Sequence, residues 1–92
     1  MEIELRYFGT VREAVGESGE RRSVDDGATV RSVLADLERE HPGLAGLLLE
    51  DGEVAGGVTV LRNGTHVTHF EGVETTLEDG DRLSITPPVT GG

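Results

Sequence analysis

Cysteine, lysine and tryptophan are absent from this sequence, and the aromatic residues are Tyr7, Phe8 and Phe70 alone. Without cysteine there is no disulfide, no thiolate metal site, no cysteine nucleophile and no thiolate-held iron–sulfur cluster, so any sulfur chemistry must borrow its sulfur. Without lysine no side chain can accept an isopeptide bond or complete a Walker-type phosphate loop, and the α-amino group of Met1 is the one primary amine left. No apolar run approaches the roughly 20 residues of a membrane-spanning helix. The N-terminus enters a strand pattern without a basic and apolar leader, so a cytoplasmic location is expected. Positive charge is scarce: 8 basic residues, all arginine, stand against 18 acidic ones, for a formal net charge of -10. Such a surface repels nucleic acid phosphate and favours basic partners. An acidic, lysine-free, glycine-rich composition also suits high salt, which screens self-repulsion, and points to a halophilic host. The 92 residues make one domain with a modest core and no room for a pocket enclosed on all sides, which disfavours a self-contained enzyme.

What the chain does contain is regular patterning. Residues 2–8 alternate, with Ile3, Leu5 and Tyr7 on one face and Glu2, Glu4 and Arg6 on the other, the pattern of a half-buried strand. Val11, Ala14 and Val15 before Gly16 predict a short helical segment, and residues 16–20 a polar turn. Residues 21–25 read as a second, antiparallel strand at a sheet edge, with Val24 its apolar member. Thr29 stands where an N-cap belongs, and Val30, Val33, Leu34 and Leu37 form one helical face, with Arg31, Asp36, Glu38 and Arg39 toward water. His41 before Pro42 ends that helix, and residues 44–49 serve as an apolar connector up to an Asp51-Gly52 turn. Asn63-Gly64 is a strong two-residue hairpin signal, which pairs a strand over 58–62 with one over 65–70. That register sets Val58, Val60 and Val67 inward and leaves Thr59 and Leu61 on the wet face, so Leu61 is a candidate partner contact. Residues 78–81 are a tight acidic turn, and 82–86 the last strand, with Leu83 and Ile85 inward. Five strands and one main helix predict an α+β fold of the β-grasp (ubiquitin-like) type, a mixed sheet with the helix across one face and the first and last strands parallel in its middle.

The stretch Pro87-Pro88-Val89-Thr90-Gly91-Gly92 follows directly on that strand, dividing the chain into a domain over 1–86 and an extended tail over 87–92. Two terminal glycines leave no β-carbon near the carboxylate of Gly92, so it can be threaded into a narrow channel and attacked from almost any side. Pro87 and Pro88 favour an extended, polyproline-like form, in which six residues span about 18 Å with little entropy to lose on binding.

The Tyr7-Phe8-Gly9 opening with Arg12-Glu13 and Gly16, the Thr29-Val30 helix start, the Val60-Leu61-Arg62-Asn63-Gly64 hairpin, the Asp79-Gly80-Asp81 turn and the terminal hexapeptide resemble the MoaD/ThiS sulfur-carrier family over nearly the whole chain. Within it, the acidic, lysine-free composition is most similar to the small archaeal modifier proteins of haloarchaea. The Pro-Pro-Val run brings the chain nearer to the molybdopterin synthase small subunit than to the thiamine-type carriers. Thr86 and Thr90 depart from the commonest residues at their positions. The resemblance implies that a separate ubiquitin-activating-type enzyme, using ATP and magnesium, adenylates Gly92, with Gly91 beside it; this chain itself binds no cofactor. Attack on the acyl-adenylate by a sulfur donor gives a thiocarboxylate, for molybdenum cofactor biosynthesis or tRNA thiolation, and attack by a target lysine gives an isopeptide bond. Pro87, Pro88, Val89, Thr90 and Leu61 would meet the partners, among them the molybdopterin synthase large subunit.

Other chemistry is poorly supported. His66 and His69, three apart on an expected strand, point to opposite faces and do not chelate one metal, and His41 reads as a helix cap. The Glu50-Asp51 and Glu78-Asp79 pairs read as solvated turns rather than catalytic carboxylates. Two functions of different class stay open: a carrier or modifier acting through Gly92, or a ubiquitin-like interaction domain whose tail is idle. Within the first, protein tagging competes with sulfur donation as a molybdopterin synthase subunit.

Overall fold

The computed structural model describes residues 1–88. Strand β1 (Glu2–Tyr7) is followed by helix α1 (Gly9–Val15), strand β2 (Gly19–Ser23), helix α2 (Val30–Glu40), short strands β3 (Leu49–Glu50) and β4 (Glu53–Val54), β5 (Thr59–Arg62), β6 (Thr65–His66) and β7 (Arg82–Thr86). Five strands form one sheet in the order β2-β1-β7-β5-β6, with β1 and β7 parallel in its middle, as the sequence predicts for a β-grasp fold. Alternation decides which face of this sheet is buried. Ile3, Leu5 and Tyr7 of β1 and Leu83 and Ile85 of β7 are buried beneath α2, whose Val30, Val33, Leu34 and Leu37 are buried in turn. Each such aliphatic side chain contributes about 1.5–3 kcal/mol by leaving water. Among the described residues no helix is long and apolar enough to cross a membrane.

The local signals for α2 hold. The Thr29 hydroxyl accepts from the Ser32 amide at 3.2 Å, the Ser32 hydroxyl accepts from the Thr29 amide at 2.9 Å, and the His41 amide closes the last turn on Leu37 O. Thr29→Ala is therefore expected to cost about 1 kcal/mol, read as a lower urea midpoint at unchanged m-value. One face of α2 departs from expectation. Glu38 is half-buried instead of facing water, because its carboxylate accepts the Leu48 and Leu49 amides at 2.8 and 2.9 Å and so pins the connector.

Three further expectations are corrected. The second strand covers 19–23 rather than 21–25, so its core-side positions are the charged Glu20 and Arg22, opposite Leu5 and Ile3. Glu20 accepts the Tyr7 hydroxyl at 2.7 Å, and Arg22 binds both oxygens of Glu40 on α2 at 2.7 and 2.8 Å. These inward charges close the sheet edge without offering it an apolar face. Burial, with the Glu20 carboxylate second, pushes the Tyr7 phenol far up, and the hydrogen bonds from Arg22 hold the Glu40 carboxyl below its usual range. The return strand over 65–70 is only β6. His66 Nδ1 accepts from the Thr68 amide at 3.2 Å and diverts the chain into a 3-10 turn over Val67–His69, although Val67 still reaches the core. His69 is thus on that turn and not on a strand. The connector carries elements the sequence hid: a 3-10 turn over Pro42–Leu44, and the β3–β4 hairpin, whose Asp51 and Gly52 both take positive φ (52° and 80°), as in a type I′ turn.

Candidate functional site

The site is the root of the C-terminal segment, where β7 ends between two turns of the body. Thr86 pairs with Thr59, and the carbonyl of Ile85 accepts the Phe8 amide at 3.2 Å, so the end of β7, the start of β5 and the start of α1 meet there. Immediately beyond, Pro87 and Pro88, read from the sequence as the base of a free arm, lie against the body. A β-carbon built on Gly9 would come within 2.8 Å of Pro87 Cγ, and one on Gly57 within 2.9 Å of both Cβ and Cγ of Pro88. Real β-carbons do not approach that closely, and both glycines also hold positive φ, +54° and +84°. The Gly57 backbone is set by a turn in which the Val58 amide donates to Ala55 O at 3.1 Å. Glycine is thus required twice over at each position.

Beside the two prolines runs a groove of about 360 Å³, lined by Val11, Leu44, Leu47, Leu48 and Val58 with Glu50 at its edge. Leu44, Leu48, Val11 and Val58 form its buried floor, whereas Leu47 is 56 % exposed and Phe8 nearby is 45 % exposed. The connector therefore closes the core as expected, and also raises one leucine to the surface. Leu61 sits elsewhere. It lies half-buried on the outer face of the sheet, opposite Ser84 on β7 and His66 on β6, two residues along β5 from the Thr59–Thr86 pair. Val89, Thr90, Gly91 and Gly92 lie outside the described residues. The sequence gives no role to Gly57 or Leu47, and marks Gly9 only as part of the Tyr7-Phe8-Gly9 opening. The adjacent Gly56-Gly57 pair was the available signal for one of them.

A second cluster holds the hairpin that carries Leu61 to the base of β7. Asp81, 5 % exposed, accepts from Arg62 Nε at 2.8 Å, from the Glu78 amide at 2.8 Å and from Asn63 Nδ2 at 2.9 Å. Asn63 also accepts the Arg82 amide at 2.9 Å, and Arg62 stacks over Phe70, 5.0 Å from the ring centre. Burial alone would raise the Asp81 carboxyl, but these donors outweigh it and hold it below the usual carboxylate range. The last residue of the acidic turn is thus a buried anchor, whereas Glu78 and Asp79 stay exposed. Among the described residues no group of three or more histidine, aspartate or glutamate side chains is placed to hold a metal ion.

Residues 5–92 match the ThiS family. The chain belongs to that family. It is 55 % identical over its whole length to the whole of small archaeal modifier protein 3 of Haloferax volcanii, and 32 % identical, again over the whole of both chains, to the molybdopterin synthase sulfur carrier subunit of Chlamydomonas reinhardtii. A Haloferax volcanii protein solved in solution superposes with a TM-score of 0.92 at 55 % identity, covering 100 % of this chain and 87 % of that one. As a ThiS-family member, the chain has the ubiquitin-like β-grasp fold and a carrier-sized body, and its candidate site is the segment that leaves β7.

Proposed function

We propose that this chain is a ubiquitin-like protein modifier and sulfur carrier that works in the cytoplasm through the carboxylate of Gly92. The observation that carries the reading is a Gly91-Gly92 end rooted, through Pro87 and Pro88, beside an apolar groove on a rigid β-grasp body. A carboxylate repels nucleophiles by its charge, and an adenylating partner removes that charge by joining the carboxylate to AMP, releasing pyrophosphate from ATP. Sulfide attack on the mixed anhydride expels AMP and leaves a thiocarboxylate. Attack by a target lysine amine, directly or through a thioester, leaves an isopeptide bond. ATP and magnesium belong to the partner. This chain supplies the acyl group, the Pro87-Pro88-Val89-Thr90 segment that leads to it, and two separate apolar contacts for a partner, Leu47 beside the groove and Leu61 on the outer face of the sheet.

The second reading is sulfur donation alone, as the small subunit of molybdopterin synthase. Support comes from the full-length similarity to the Chlamydomonas reinhardtii sulfur carrier subunit. Mapping conjugates in cells separates the two. Arg82 is the last basic residue, so trypsin leaves residues 83–92 on a modified lysine, and that remnant is the species to seek. Tagging is expected to yield it on target lysines, and always as a single copy. No side chain here carries an amine, and the Met1 amine donates to Val24 O at 2.9 Å and faces Asp26 at 3.6 Å. Thiocarboxylate without any such remnant would favour the second reading.

A further inference from the structure

We propose that Gly9 and Gly57 are positioning residues: together they form a two-point seat for Pro87 and Pro88 that fixes where the acyl-bearing segment leaves the body. The inference rests on the reaction at Gly92 proposed above, and concerns how the body presents it. Activation requires the carboxylate to reach bound ATP at near-contact distance, and a misplacement of about 1 Å at a reacting group is enough to slow chemistry severely. A short segment inherits the placement of its root. β1 pairs with β7 as far as Ile85 and β5 as far as Thr86, so beyond that residue the ladder offers no restraint. The prolines donate no amide hydrogen bond that could extend it.

What replaces the ladder is steric. The Pro87 ring packs where a side chain at residue 9 would stand, and the Pro88 ring where one at residue 57 would stand. The two contacts come from opposite sides of the exit: residue 9 opens α1, whose preceding amide is tied to Ile85 O, and residue 57 lies in the turn that leads into β5. Both walls are therefore fastened to the strands that flank β7. Proline rings are rigid, so an added methyl group cannot be accommodated by rotating a side chain, and the prolines must leave their seat. Other glycines differ. Gly27 has nearly the same positive φ as Gly57, +87° against +84°, yet nothing lies within 4 Å of the position its β-carbon would take. Backbone strain is thus shared by both positions, and contact with the C-terminal segment is peculiar to the seat.

The test compares Gly57→Ala with Gly27→Ala in adenylation by the ubiquitin-activating-type enzyme of the same organism, with ATP and magnesium. Both variants are expected to lose similar stability by thermal unfolding. Gly57→Ala is expected to lower kcat on the order of tenfold with KM changed less than about twofold, while Gly27→Ala stays within about twofold in both. Adding Pro88→Gly to Gly57→Ala removes the clashing ring, so the double variant is expected to match Pro88→Gly alone. Equal kinetics for Gly57→Ala and Gly27→Ala, or additive losses in the double variant, would overturn the proposal. A readout on the unaltered protein guards against misfolded variants: nuclear Overhauser contacts are expected from the Gly57 α-protons to the Pro88 ring and from the Gly9 α-protons to the Pro87 ring, and their absence would equally overturn it. Should the unaltered chain show these contacts yet resist adenylation, the reaction at Gly92 is what fails.

Discussion

A chain ending at Thr90 is expected to be adenylated at least about a thousandfold more slowly than the full chain while unfolding at the same temperature. Removing Gly91 and Gly92 draws the carboxylate back by about 7 Å along an extended chain and places it on a β-branched residue. Reacting groups must come within about 3–3.5 Å, so an end group that far short of the nucleotide is out of reach unless the whole body moves into its partner. The folded body has no reason to change. Among the described residues every buried core side chain precedes Pro87, from Ile3 to Ile85. Pyrophosphate exchange and thermal unfolding on the same preparation check both halves. Undiminished partner binding and cellular function in the truncated chain would instead favour an interaction domain with an idle tail.

Replacing Asp81 with alanine is expected to destabilise the fold by about 2–4 kcal/mol, the largest loss for any polar position described here. The carboxylate satisfies three donors that come from β5, from the Asn63-Gly64 turn and from the backbone of Glu78. Its removal leaves the Arg62 guanidinium, whose side chain is 16 % exposed, without its closest buried partner. The pH dependence has a definite sign. The Asp81 carboxyl is held below its ordinary value in the folded state, so its stabilisation is complete above the unfolded value of about 4 and is lost as pH falls through the lower folded value. Urea midpoints taken from pH 7 to pH 3 are expected to fall more steeply for the parent chain than for Asp81→Ala, so that the two curves converge in acid. Parallel curves would contradict the assignment.

These two expectations also mark how much was legible in the residues alone. Features set by neighbours in sequence read correctly: the Thr29 cap, the Val30-Val33-Leu34-Leu37 face, the Asn63-Gly64 turn with φ of 50° and 86°, and the alternation that turns Ile3, Leu5 and Tyr7 of β1 and Leu83 and Ile85 of β7 inward. Features set by distant partners did not. Asp81 looks like one more acid in an exposed turn, because its two side-chain donors, Arg62 and Asn63, belong to a hairpin far back along the chain. Glu38 lies on the polar face of a helix by spacing, and only the folded connector brings the Leu48 and Leu49 amides to it. The β2 register is hidden because Val24 is the apolar residue nearest the strand, whereas Arg22 is ion-paired with Glu20 and Glu40 and Glu20 also accepts the Tyr7 hydroxyl, which lets two charged residues sit on the core side. β6 stops early because a histidine ring nitrogen competes for the Thr68 amide, a contact no alternation pattern contains. At the candidate site the terminal glycines were visible by composition and position. The seat of the prolines was not, since a glycine needed for close approach looks the same in sequence as one needed only for a turn.

The most direct measurement is the intact mass of the full chain after incubation with its adenylating enzyme, ATP, magnesium and sulfide, beside a version whose Gly92 ends in an amide. The account predicts one oxygen replaced by sulfur at the C-terminus of the free-acid chain and no change in the amide. An unaltered mass for the free acid, under conditions that convert an established sulfur carrier of this family, would contradict it.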